Sequence, residues 1–267
     1  MRAARIVAAA LALSLVGAIP AQAVTSPTPT ILTMPQDYGG RAQSYAMINE
    51  TTRLIDAAPR GSTVRHLGYL LNTEAPVSAM IRAHRRGVHV KVTVDKHAGS
   101  AQTTRLAAEL GRNRSAESFL YVVRASGFSG APYGAYMHGK MTTVSTAGTR
   151  RYVSIVSSAN LAVTNAEASS NATEVYDDRR LYAGLHAFFD AVTADRNRPS
   201  YYRKASSGNV ALHMGPGMPG VVYAALGRIR SCRGVTINVA QFQWSDATSA
   251  VKIANRLWGL ASRGCNV

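Results

Sequence analysis

Two segments of this 267-residue chain run through one order of features. Residues 58–90, APRGSTVRHLGYLLNTEAPVSAMIRAHRRGVHV, read as Arg-Gly, a strand, a short polar turn, an amphipathic helix, a second Arg-Gly and the start of another strand. Residues 230–267, RSCRGVTINVAQFQWSDATSAVKIANRLWGLASRGCNV, repeat that order. An internal duplication of this kind, in which strand and helix periods alternate, restricts the chain to an α/β fold. The chain then holds one full unit and the opening of a second.

The first unit shows the periods clearly. Pro76 stands near a helix start, Val77, Met80, Ile81 and His84 follow at i, i+3, i+4 and i+7, and Gly87 stops the helix. Val88, Val90, Val92 and Val94 then alternate with His89, Lys91, Thr93 and Asp95, which is a strand with one apolar face. Around it the pattern predicts helices over 41–57, 101–111 and 178–194, and extended segments over 63–71, 119–124 and 173–176. Residues 126–136 read as a loop and 196–207 as a linker.

The N-terminus has the parts of a secretory leader over residues 1–23: basic Arg2 and Arg5, an apolar run from Ile6 to Ile19, and the small-residue exit Ala21-Gln22-Ala23. The run is short for a membrane span. The expected destination is therefore secretion. The formal net charge is +16, to which the leader contributes only Arg2 and Arg5. Such an excess favours anionic partners: a phospholipid or membrane surface, nucleic acid, or another phosphate-bearing substrate. A complement of only 14 acidic residues weighs against a multi-carboxylate metal site. Cys232 and Cys265 are the two cysteines. In an oxidising compartment they are expected to form one disulfide, since one precedes a strand of the second unit and the other begins that strand's neighbour. Two unpaired buried thiols are the alternative.

Residues 136–161, YMHGKMTTVSTAGTRRYVSIVSSANL, carry the chemistry. His138 and Lys140 are two apart, as are Ser158 and Asn160, so each pair projects from one face of an extended segment. If the chain turns back at Thr146-Ala147-Gly148-Thr149, the four side chains meet at one end of the sheet. They would supply an imidazole nucleophile, an ammonium for a phosphoryl oxygen, a hydroxyl and a carboxamide. A phosphodiester repels nucleophiles by its charge, and donors around its oxygens answer that without a metal.

The run HGKMTTVS followed by SSAN resembles the HKD motif of the phospholipase D superfamily: His-x-Lys, four residues, Asp, then Gly-Ser-x-Asn. His138, Lys140, Ser158 and Asn160 match, while Ser145 stands where the Asp belongs and Ser157 where the Gly belongs. Together with the element order, the duplication and the leader, the chain resembles secreted bacterial phospholipases D over most of residues 40–267. The resemblance implies a mixed sheet flanked by helices. With the leader over 1–23, the duplication divides the rest into a first repeat over 24–205 and the truncated start of a second repeat over 206–267.

The activity it implies is hydrolysis or transphosphatidylation of phospholipids through a phosphohistidine, with no cofactor. His138 would be the nucleophile or its acid/base partner, Lys140 and Asn160 would hold phosphate oxygens, and Ser158 would support them. Glu174 resembles the family carboxylate that orients a motif histidine. A nuclease of the same superfamily and an inactive binding or envelope protein are the alternatives. A second motif with the full spacing does not occur, so a homodimer is one way to complete the site. The Asp95-Lys96-His97 run ends a strand and reads as a solvated end, with lining of the same face as the alternative, and Trp244 reads as a core residue.

Overall fold

A computed structural model describes residues 12–14, 30–124, 128, 136–239 and 248–267. The leader, apart from the backbone of 12–14, lies outside the described residues, as do Trp244 and most of the loop over 126–136. The chain begins with β1 (Ala12–Ser14), β2 (Ile31–Thr33), α1 (Gln36–Ser44), α2 (Ala46–Asp56), β3 (Thr63–Gly68), α3 (Glu74–Arg85), β4 (His89–Val94), α4 (Ala101–Leu110) and β5 (Phe119–Val122). It continues with β6 (Lys140–Ala147), β7 (Arg150–Ser157), α5 (Val163–Ala168), β8 (Asn171–Asp177), α6 (Arg179–Thr193), β9 (Arg203–Ser207), β10 (Val210–Met214), α7 (Val221–Gly227) and α8 (Thr248–Ala261).

β3, β4 and β5 pair in parallel, as the α3 and α4 crossovers require. β6 joins the other edge of β3 antiparallel, β7 and β8 follow antiparallel, and β2 closes that side. The sheet is thus mixed, in the order β2-β8-β7-β6-β3-β4-β5. One face buries Ile48, Leu54 and Ile55 of α2, Val77 and Met80 of α3 and Leu106 of α4 against Val64, Val90, Val92 and Val94. The other buries Leu181, Leu185 and Phe189 of α6 against Leu67, Met141 and Val156. Val88, Val90, Val92 and Val94 are all buried, and so is Thr93, because both faces of β4 are covered.

Where the sequence suggests a linker, the structure has a hairpin. β9 and β10 pair antiparallel, and Ala205, Leu212 and Met214 join the α6 core. One apolar residue in Arg203-Lys204-Ala205-Ser206-Ser207 is too little for a strand period to show, and α6 supplies the missing partner surface. The backbone of Ala12–Ser14 pairs with the free edge of β10. The first predicted helix, 41–57, is two helices that meet at Tyr45.

The local geometry of the first unit recurs near the C-terminus. Gly87 and Gly264 both have φ +87°, a left-handed conformation that terminates α3 and α8 in the same way. Val88 N–H donates to Ala83 O at 3.0 Å, and Cys265 N–H to Leu260 O at 3.1 Å. Thr63 stands opposite His89 in parallel register, and Thr236 forms a parallel bridge to Asn266. A small separate core of Leu226, Ile237, Leu257, Leu260 and Cys265 sits here. Within it Cys232 and Cys265 form the disulfide, with Cα atoms 4.5 Å apart.

Candidate active site

The antiparallel entry of β6 beside β3 sets the site. Gly68, the last residue of β3, stands opposite Lys140, the first of β6, so the residues before Lys140 lie at the C-terminal end of the parallel strands. In open α/β sheets that is where ligands collect. β7 returns antiparallel and delivers Ser158 and Asn160 to the same end. Gly139 between His138 and Lys140 is required by closeness: a Cβ there would stand 2.7 Å from Cδ2 of the fully buried Leu67.

His138 is solvent-accessible, with its ring edge-on to Tyr69 at a centroid distance of 4.8 Å. Partial burial, then the charge of Lys140, hold its imidazole below the ordinary histidine value, against the opposing pull of Asp95. The neutral imidazole that a nucleophile needs is therefore favoured near neutral pH. Lys140 is buried, donates to the carbonyl of His138 at 3.0 Å, and lies 5.8 Å above the Tyr69 ring. Burial brings its ammonium down to about 8.

Asn160 is buried and its amide is held at both ends. Oδ1 accepts from Leu70 N–H at 3.2 Å, and Nδ2 donates to Asn165 Oδ1 at 2.9 Å. It thus fixes residues 158–161 beside the loop that follows β3, where Leu161 bridges Leu71. Ser158 ties β7 to β8 instead: its hydroxyl donates to Asn171 Oδ1 at 3.2 Å and accepts from Ala172 N–H at 3.1 Å. Glu174 is not brought to the pair. Met141 stands opposite Val156 and Val156 opposite Glu174, which puts Glu174 on the sheet face away from Lys140. Its carboxylate accepts from Thr30 at 2.9 Å, and burial raises its pKa.

The two serines at departures from the motif have structural work. Ser145 accepts from Thr63 N–H at 2.9 Å, pinning β6 to the start of β3. Ser157 exchanges a hydrogen bond with Thr173 at 2.7 Å and accepts from Ala159 N–H at 3.0 Å. Both therefore satisfy groups that burial would otherwise orphan.

Four further residues meet at this end. Asp95 is buried: Oδ2 accepts from Met137 N–H at 2.7 Å, and Oδ1 accepts from His97 N–H at 3.0 Å and lies 2.5 Å from His97 Nδ1. His97, Tyr69 and Tyr136 pack on one another with centroids 5.1 to 5.9 Å apart. The run Asp95-Lys96-His97, which the sequence suggests is a solvated strand end, thus joins His138 through Tyr69. The available signal was position: it follows β4, parallel to β3, at the carboxyl end of the sheet. His89 and Lys91 are also two apart, with three rather than four residues before Asp95. They sit at the opposite end, where His89 Nδ1 lies 3.1 Å from Glu117. Among the described residues no cluster of His, Cys, Asp and Glu could hold a metal ion. No helix among them is long and apolar enough to cross a membrane.

A sequence model described as "Cardiolipin synthase, PLD-like domain" matches residues 51–193, a span that includes His138, Lys140 and Asn160. The chain belongs to this phospholipase D-like family. No curated protein sequence matches it. Among solved structures it is similar to NucT from Helicobacter pylori, with 15% identity over 62% of this chain and 96% of that one and a TM-score of 0.47. It is also similar to Nuc from Salmonella typhimurium, a phospholipase D family member, with 14% identity over 67% and 99% and a TM-score of 0.43. Polyphosphate kinase from Porphyromonas gingivalis aligns with 13% identity over 64% and 23% and a TM-score of 0.40. The family assignment rests on the sequence model.

Proposed function

We propose that the chain is an exported phosphodiesterase of phospholipase D type, which hydrolyses or transphosphatidylates phospholipids through a phosphohistidine on His138. The observation that carries this reading is the His138–Lys140 pair: an accessible imidazole held neutral, beside a buried ammonium, at the carboxyl end of the sheet. The imidazole attacks phosphorus, Lys140 offsets the charge of the phosphoryl oxygens, and an amide hydrogen of Asn160 donates to them. Water or another alcohol then releases the phosphoryl group. Ser158 supports the site by holding the end of β7 against β8. Export is supported by the leader over 1–23 and by the Cys232–Cys265 disulfide. The repeated turn geometry supports reading 24–205 as a first repeat and 206–267 as the opening of a second.

A nuclease of the same superfamily is the second reading, favoured by the net charge of +16. Headgroup release from phosphatidylcholine vesicles, measured beside nicking of plasmid DNA, separates the two. The phospholipase reading expects choline release that His138→Ala abolishes. Nicking without choline release replaces it by the nuclease reading. Neither activity from wild-type protein overturns both.

A further inference from the structure

We propose that His97, oriented by the buried carboxylate of Asp95, is the acid/base partner of His138 within the same chain. The inference rests on the phosphodiesterase reading of His138 and supplies the second proton-handling group which that reading needs. Two sets of contacts point to it. The first is the Asp95–His97 pair itself. Asp95 Oδ1 binds both the backbone N–H and Nδ1 of His97, at 3.0 and 2.5 Å, so ring position and tautomer are fixed together and Nε2 is left for proton exchange. The His97 side chain is 42% exposed while that of Asp95 is wholly buried, which places a fixed carboxylate behind an imidazole that solvent and substrate can reach. The other oxygen, Oδ2, holds Met137 N–H at 2.7 Å, immediately before His138. One carboxylate therefore fixes the His97 ring and the backbone that leads into His138.

The second is the shared ring. Tyr69 meets His138 at 4.8 Å and His97 at 5.9 Å between centroids. Two imidazoles packed on one phenol can flank a single phosphodiester, one at phosphorus and one at the leaving oxygen. No other described histidine shares an aromatic contact with this group. His66 is buried against Thr142, His186 packs on Tyr182 beside Arg65, and His89 is at the far end of β4.

The steps balance. The lone pair of His138 forms the N–P bond while the P–O bond to the departing alcohol breaks. The electron pair of that bond goes to the alcohol oxygen, which takes the Nε2 proton of the His97 imidazolium and leaves the neutral ring with its Nδ1–H on Asp95. Water then gives a proton back to His97 as its oxygen attacks phosphorus, and the N–P electron pair returns to His138. The products are a phosphomonoester and an alcohol.

Leaving-group dependence tests this. p-Nitrophenolate leaves a phosphodiester without taking a proton, whereas an alkoxide needs one. In the full chain, His97→Ala is expected to lose about 10²–10⁴-fold in kcat/KM on an alkyl phosphodiester. It should lose less than about tenfold on the p-nitrophenyl ester, with the phosphoenzyme accumulating on His138 because water is no longer deprotonated. His97→Gln, which keeps the volume of the ring's inner half, should behave alike and guards against a folding loss. His138→Ala should lose both substrates. Equal losses on the two esters, or no loss on the alkyl ester, in active protein overturn the His97 assignment alone. Wild-type protein inactive on both esters overturns the parent reading and the assignment with it.

Discussion

Lys140 shows at the scale of one residue why this site is costly to build. A buried ammonium whose partner among the described residues is one carbonyl opposes folding, and its depressed pKa of about 8 records that opposition. The unfolded chain holds this proton up to the ordinary lysine value of 10.5, so the unfolded state binds more protons between about 8 and 10.5. Stability from this group therefore rises with pH through that window. Lys140→Met, which fits the same volume without charge, is expected to stabilise the fold by about 1–3 kcal/mol and to abolish phosphodiesterase activity. Denaturant midpoints and turnover of the two proteins check both halves. The same value predicts that kcat/KM falls above about pH 8 as the ammonium facing His138 and Tyr69 loses its proton. Unchanged activity to pH 9.5 would separate Lys140 from phosphate binding.

Among the elements, those with an internal apolar period were legible and those that borrow their burial were not. β4 and α3 declare themselves through Val88, Val90, Val92 and Val94 and through Val77, Met80 and Ile81, all of which are buried. β9 carries little but Ala205, and only α6 makes it a strand. The site divides the same way. His138 and Lys140 reach the sheet end because residues two apart share a face, which spacing alone dictates. That Asp95 and His97 meet them depends on the parallel register of β3 with β4 and the antiparallel entry of β6, which no local pattern contains. The α8 segment is held largely by its small core and the Cys232–Cys265 bridge across 33 residues. Replacing both cysteines by serine is expected to cost about 3 kcal/mol locally. Amide exchange should accelerate over 257–266 while β3, β4 and β6 keep their protection, and unchanged exchange over 257–266 would contradict this.

Across the molecule, the mixed sheet brings three strand ends and one entering strand to a single end, and the candidate site stands there. β3 supplies Tyr69, β4 supplies Asp95 and His97, the approach to β6 supplies His138 and Lys140, and β7 supplies Asn160. Helices cover both faces, so the open end is where a phosphodiester can approach an accessible imidazole. Every role assigned to this edge depends on phosphorus passing through His138. The direct measurement is acid-free denaturing quench of a reaction with a phosphorus-labelled phosphodiester, followed by peptide mapping. The account predicts an acid-labile, base-stable label on His138 that is absent in His138→Ala. Turnover with the label on another residue, or with none on protein under conditions that trap an intermediate, would contradict it.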